Sequence, residues 1–330
     1  MGAVPAYFFL SVLEFRGPAK SSVAQPPTTL DALYPIAYSG VEYAKSLVHA
    51  DTDPGVDTLA DPWSFGVPDR VDMVYGSFAL GAEGQAGLVD EERKINLNEV
   101  NAEILSRLLR IAAGLDEQKA QALAYGLLDW ADSDSFYSHP QYGAESGEYE
   151  NLKFPYTAKN LPYESIDELL LVKGMTPELF EQIKPFVTVY GTGAVNINTA
   201  PREVLAALGL NTKTVSMILR YRAGSDGKEG TADDGFFTGV NNIANTLKKQ
   251  ESESPLDGDQ EVLLATLLEA ARLGINSKYF SVKSHAVLTK NGASLDIEAV
   301  MDRLGSVRYC RASEVHPAAP APSLSSGRAG

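Results

Sequence analysis

Apolar positions recur with a helical period through the middle of the chain and with a period of two near its end, so the sequence predicts helices framed by strands. Between residues 29 and 49, Ala37, Val41, Ala44 and Leu47 share one face of a helix that Thr29 and Asp31 open and Pro35 is expected to interrupt. Val71 to Leu80 reads as a strand, Gly81 to Gly87 as a glycine-rich turn and Leu88 to Leu97 as a second extended run, which together predict a hairpin. From about residue 96 to 274 the pattern is helical. Tight turns at Gly114-Leu115, Gly174-Met175-Thr176 and Gly209-Leu210 each separate two apolar helical runs, so three helix-hairpin-helix units are expected. The second opens on the capping box Ser165-Ile-Asp-Glu168 and restarts with Pro177 in a first turn. After residue 275 alternation takes over. Phe280, Val282, Ala286 and Leu288 point one way, Asn291-Gly292 supplies a tight turn, Leu295, Ile297 and Ala299 return, and Val307 to Arg311 completes a meander. A helix, then strands, a helical block and three antiparallel strands fit an α+β fold with an all-helical insertion and a helix packed across the sheet.

Inside the helical block, Lys94-Ile-Asn-Leu-Asn98 recurs as Ala194-Val-Asn-Ile-Asn198. Asn98 is placed to cap a helix carrying Ile104, Leu105, Leu108, Leu109 and Ala112, and Asn198 precedes Val204, Leu205 and Leu208, with Pro201 suited to a first turn. Each block marks the start of a small helical module.

The 330 residues, 44% of them hydrophobic, can bury a sizeable core. With 28 basic against 43 acidic residues the net charge is −15, which repels a phosphate backbone and disfavours nonspecific nucleic-acid binding. The single cysteine, Cys310, excludes an intrachain disulfide and a thiolate metal cluster. Enzyme motifs are missing. Gly76 to Gly81 has P-loop glycine spacing but Ala82 stands where Lys is required, Gly191-Thr-Gly193 lacks a third glycine, and the four histidines form no metal or nucleophile motif. The apolar run Ala3 to Phe15 is closed by Glu14 and Arg16, short of the roughly 18 to 20 residues that span a bilayer.

Two acidic loops are the candidate sites. Asp129, Asp132 and Asp134 sit close in sequence to Glu145 and Glu148, and their hard oxygens suit Ca²⁺, with Asp132, Asp134 and Glu145 the preferred ligands. The spacing is not that of an EF-hand, and Asp129 also reads as a helix residue facing solvent. In the second loop, Asp226-Gly-Lys-Glu-Gly-Thr-Ala-Asp-Asp234, the candidates are Asp226, Asp233 and Asp234. An ordinary Asp/Gly surface turn explains that spacing equally well. A DNA-binding alternative would use Lys173, Arg202, Arg220 and Arg222 around a hairpin turn, but Gly174-Met175-Thr176 lacks the second glycine of the phosphate-gripping loop.

In order along the chain stand Asp90-Glu91, Lys94-Ile-Asn-Leu-Asn98, Asp129-Trp-Ala-Asp-Ser-Asp134, Gly143-Ala-Glu145, Tyr149, Ser165-Ile-Asp-Glu-Leu169, Val172-Lys-Gly-Met-Thr-Pro-Glu178, Thr188-Val-Tyr-Gly191 and Val195-Asn-Ile-Asn-Thr-Ala200. This ordered set resembles the type II secretion minor pseudopilin K family, also called general secretion pathway protein K. Ala37-Tyr-Ser-Gly-Val-Glu-Tyr-Ala44 is similar to the family's stalk helix.

The resemblance implies a pilin-like domain interrupted by a large all-α insertion with helix-hairpin-helix, SAM-like units. Residues 29–95 and 275–312 would form the pilin-like part and 96–274 the insertion, flanked by an atypical segment at 1–28 and a disordered tail at 313–330. It implies a protein that is not an enzyme and that caps the tip of the periplasmic pseudopilus, starts its assembly with minor pseudopilins I and J, and supports protein secretion across the outer membrane. Secreted substrates, the outer-membrane secretin and other pseudopilin helices meeting Val41, Ala44 and Leu47 are further implied partners. Calcium in the insertion is implied as well, with Asp132, Asp134, Glu145, Asp226, Asp233 and Asp234 as ligands, and so is an inner-membrane location with a periplasmic domain. Family members begin with a leader and a membrane-spanning helix. Residues 1 to 36 depart from that pattern, and a faulty or altered 5′ end is the expected cause.

Overall fold

The computed structural model describes residues 28–64, 70–81, 87–250, 256–313, 315 and 316. The atypical segment expected at 1–28, apart from Thr28, and the tail expected at 313–330, apart from three residues, lie outside these.

Helix α1 (Thr29–His49) starts where Thr28 and Asp31 cap one another. Asp31 N donates to the Thr28 hydroxyl at 3.2 Å, and Thr28 N donates to the Asp31 carboxylate at 2.8 Å. The expected break at Pro35 does not occur. Leu33, Ile36, Ala37, Val41, Ala44 and Val48 are buried on either side of it, so the packed face holds the helix through the lost backbone bond.

Strands β1 (Val71–Asp72), β2 (Gly76–Leu80) and β3 (Leu88–Asp90) come next. The middle of the chain then holds strand β4 (Ile95–Asn96), helices α2 (Ala102–Ala113), α3 (Glu117–Ala131), α4 (Ser146–Tyr149) and α5 (Pro177–Ile183), and strands β5 (Val187–Thr188) and β6 (Val195–Asn196). Helices α6 (Arg202–Ala207), α7 (Thr212–Arg222), α8 (Ile243–Gln250) and α9 (Gly258–Glu269) lead to strand β7 (Leu273–Gly274). Long strands β8 (Tyr279–Leu288), β9 (Ser294–Asp302) and β10 (Val307–Ala312) follow.

The main sheet is antiparallel, in the order β1-β2-β8-β9-β10, with β3 also on β8. Gly76 faces Leu288 and Leu88 faces Val282, so β2 and β3 lie in line along one edge of β8. The expected β2–β3 hairpin is therefore corrected. Both segments instead pair with a strand about two hundred residues away, because the alternating apolar face of β8 completes one core with Phe78, Leu80 and Leu88. The expected β8–β9 hairpin forms, and Gly292 takes its turn at φ +67°. Helix α1 lies on the face carrying Phe280, Val282, Ala286, Leu295, Ile297 and Ala299. Its approach requires Gly40, where a Cβ would stand 2.1 Å from the Ser284 hydroxyl oxygen.

The helical block builds a second core, including Leu105, Leu108, Leu109, Leu127, Trp130, Tyr149, Val204, Leu205, Ile218 and Phe237. Its two segments start alike: β4 pairs in parallel with β5 and β6 in parallel with β7. The three predicted turns are present, with Gly114 at φ +64°, Gly174 at +90° and Gly209 at +99°, and Asp116, Thr176 and Asn211 capping the helices that follow. Asn98 does not cap α2. Asn101 does, accepting from Ile104 N at 2.9 Å.

A buried polar seam ties the two cores together. Asp90 accepts from the hydroxyls of Thr199 and Ser277, each at 2.7 Å, and Ser277 N donates to Asp57 at 2.6 Å. Asn196 donates to the Asp57 carbonyl at 3.2 Å, and Arg303 pairs with Asp57 and, at 2.6 Å, with Asp51. Four distant stretches of sequence meet there, joined by hydrogen bonds to Asp57 and to one oxygen of Asp90. Among the described residues, no helix is long and apolar enough to cross a membrane.

Candidate metal centre

The end of α3 and the loop after it bring three carboxylates to one point. Asp129, Asp132 and Glu145 each offer an oxygen, and the three oxygens lie within 4.8 Å of one another. Asp129 is fully buried in the last turn of α3. It fastens the loop at its middle and its end, accepting from Ser138 N at 3.0 Å and Ala144 N at 2.8 Å. The loop passes tightly over it at Gly143, where a Cβ would lie 2.6 Å from an Asp129 oxygen. Asp132 follows at the helix end and takes the Ser138 hydroxyl only distantly, at 3.4 Å. Glu145, 4% exposed, precedes α4 without capping it.

The electrostatics of this cluster suit a cation. Asp132 Oδ1 and both oxygens of Glu145 are buried and have no hydrogen-bond partner among the described residues. Burial raises the carboxyl pKa of both residues, and the neighbouring carboxylates raise them further. Asp132 Oδ1 and the two Glu145 oxygens, buried without donors beside Asp129, are costly for a protein alone and suited to a divalent ion of the calcium class, so the residues present fit such an ion.

Asp134, expected as a ligand, stands outside the trio. Its side chain closes a local turn on Phe136 N at 2.8 Å, and its carbonyl accepts from Asn160. Asp129 takes its place, a residue whose helical position suggested a solvent-facing side chain. The next residue, Trp130, is 3% exposed, which shows that this face of α3 turns inward.

The second acidic loop is arranged differently. Asp233 accepts from Ser225 N at 2.7 Å, from Asp226 N at 3.1 Å, from the Thr231 hydroxyl at 2.7 Å and from the Ser225 hydroxyl. The Ser225 and Thr231 hydroxyls hold its carboxyl far below the usual range. Asp234 takes Gly230 N at 2.6 Å, and Asp226 takes Lys228 N at 2.7 Å. These three carboxylates are spent on the loop's own donors and do not converge. Buried Arg222 braces the loop through Glu229 at 2.8 Å while donating to the Ala200 carbonyl at 2.6 Å.

The expected partner-facing residues need correction too. Val41 and Ala44 are 0% exposed and packed on the sheet, and Leu47 is partly buried against the same core. The helix face that carries them is used by the chain's own fold. Among the cations of the DNA-binding alternative, Arg222 is buried and engaged, and Lys173 is paired with Glu148.

These features define an α+β protein whose antiparallel sheet is built from both ends of the chain and carries a spliced helical block with a carboxylate centre. Residues 86–192 match the family model for type II secretion system (T2SS) protein K. The chain is 31% identical over 133 residues to type II secretion system protein K of Pectobacterium carotovorum subsp. carotovorum, covering 39% of this chain and 40% of the relative. It is 28% identical over 191 residues to that of Pseudomonas aeruginosa (52% and 54%), and 30% identical over 209 residues to that of Klebsiella pneumoniae (56% and 59%). The chain thus spans about half the length of the curated relatives it matches. Its fold is similar to a chain in the crystal structure of the GspK-GspI-GspJ complex from the enterotoxigenic Escherichia coli type 2 secretion system. The TM-score is 0.65 at 20% identity, covering 85% of this chain and 97% of that one, and at this identity the likeness is one of fold. The chain is thus similar to type II secretion system protein K in the segment the family model matches, in sequence over about half its length, and in fold.

Proposed function

We propose that the chain is a minor pseudopilin that caps the tip of the type II secretion pseudopilus, starts its assembly with minor pseudopilins I and J, and supports secretion across the outer membrane from the periplasmic face of the inner membrane. The observation that carries this reading is α1 seated on an antiparallel sheet whose strands flank a spliced helical block. In that reading residues 29–95 and 275–312 form a pilin-like body, and 96–274 is a helix-hairpin-helix insertion whose bulk leaves no room for a further subunit above it. The solved complex of similar fold contains GspI and GspJ, which supports them as partners. No chemical turnover is required. The work of the protein is to present fixed surfaces at a fibre end.

Calcium is part of the proposal. Asp129, Asp132 and Glu145 would hold the ion, which neutralises three carboxylates and keeps the loop from Asp132 to Glu145 in one shape. The second loop follows α7 as the first follows α3, and this likeness of position supports a second ion at Asp226, Asp233 and Asp234 in exchange for the loop's own hydrogen bonds. The test is genetic. Deleting the gene in its own bacterium should trap secreted proteins in the periplasm, and the intact gene should restore export; undiminished export by the deletion strain would contradict the proposal.

A further inference from the structure

A groove of about 450 Å³ opens beside β3, between the sheet and the helical block. Its lining includes Val89, Arg93, Lys94, Lys184, Phe186 and Pro201. Arg93, Lys94 and Lys184 come together there in a chain of net charge −15. Lys94 is held by buried Glu91 at 2.6 Å. Lys184 lies 5.8 Å from the Phe180 ring centroid, and neither it nor Arg93 has a carboxylate partner among the described residues. Glu181 is the acidic group in the lining. Phe186 and Pro201, both partly buried, give the groove an apolar floor.

The adjoining strand is less covered as well: among the described residues, β1 pairs with β2 through Val71 and Asp72, whereas β3 is paired through β8 alone. An extended polypeptide laid along β3 would meet the Arg93 and Lys184 cations and the apolar floor of Phe186 and Pro201. The chain's net charge of −15 disfavours an acidic segment overall, so the local cations would select where it lands.

We propose that this groove docks an extended acidic segment of another protein, its carboxylates on Arg93 and Lys184 and its apolar side chains on Phe186 and Pro201. Neither fibre partner is needed for this docking.

The test uses the full chain and a fluorescein-labelled ten-residue peptide of alternating glutamate and valine, read by fluorescence anisotropy at low ionic strength. Saturable binding is expected. It should weaken by about tenfold or more in the Arg93→Glu/Lys184→Glu double variant and several-fold in Phe186→Ala, while Lys119→Glu, on a different surface, leaves it unchanged. If the charge reversals impair folding by circular dichroism, Arg93→Gln/Lys184→Gln replaces them. Absence of saturable binding, equal binding of the peptide with lysine in place of glutamate, or unchanged affinity in the double variant or in Phe186→Ala would overturn the proposal. Displacement of the peptide by an oligonucleotide would overturn it too, by assigning the groove to phosphate.

Discussion

Asn98 and Asn198 do the same work at corresponding places in the helical block. The Asn98 amide donates to the Tyr163 carbonyl at 3.0 Å and accepts from Tyr163 N at 2.8 Å; Asn198 makes the same pair of bonds with Phe237, at 3.0 and 2.8 Å. Each is also braced from behind, with Asn98 N donating to Asn96 at 2.9 Å and Asn198 N to Asn196 at 3.0 Å. The repeated motif is thus a clamp that returns the chain to the start of its module after an acidic loop has been made.

The clamps should matter for stability in proportion to their burial. Asn198 is 2% exposed and Asn98 is only partly buried, so Asn198→Ala strands Phe237's backbone groups in a dry core. The expected loss is about 2–4 kcal/mol for Asn198→Ala and about 1–2 kcal/mol for Asn98→Ala, from two hydrogen bonds and the desolvated partners left behind. Urea denaturation midpoints check this. Equal, small losses would show that water replaces both clamps.

Calcium should stabilise the helical block through the first loop. Trp130 adjoins Asp129 and Asp132 in sequence and packs edge-on to Tyr149 at 5.2 Å, so its fluorescence should respond when calcium is added to chelated protein. At a hundredfold excess over the dissociation constant the gain is about 2.7 kcal/mol. Asp132→Asn and Glu145→Gln should each weaken binding by about tenfold or more, and Asp134→Asn far less. Calorimetric titration separates the variants and counts the ions. A Glu145→Gln variant that binds like the parent would contradict the assignment.

Acid–base behaviour should report two buried carboxyls, Asp57 in the seam and Glu92, which accepts from Lys278 N at 3.0 Å. Burial pushes Glu92 up to about 7 even though Lys278 N and Tyr279 N donate to it, and burial likewise pushes Asp57 to about 7 against the pull of Arg303. Both groups bind protons more tightly folded than unfolded, so their stabilising contribution is full below the ordinary carboxylate range and is lost as pH rises through about 7. Carboxylates with lowered pKa, such as Asp31 and Asp302, act in the opposite sense and only at more acidic pH. Glu92→Gln should therefore gain stability relative to the parent between pH 5 and 8. Parallel stability profiles over that range would show that Glu92 is ionised throughout.

Local signals carried much of the fold into the sequence. The period-two run ending at Asn291-Gly292 and the turns at Gly114, Gly174 and Gly209 are written in neighbouring residues, where backbone chemistry decides the outcome. What escaped was set at long range. The pairing of β2 and β3 depends on β8, the stability of Pro35 within α1 on a sheet made mostly of later strands, and the role of Asn98 on a backbone amide 65 residues away. In the first acidic loop the sequence singled out Asp134, whereas the structure brings Asp129 together with Asp132 and Glu145. Carboxylate spacing does not reveal which oxygens are consumed by a local turn and which are buried without donors.

The tip role is tested most directly by co-purifying the chain with the soluble domains of minor pseudopilins I and J from the same genome, with and without calcium. A stable three-way complex of equal stoichiometry, weakened by chelator and by Glu145→Gln, is the predicted result. Failure of the three proteins to associate in the presence of calcium would contradict it.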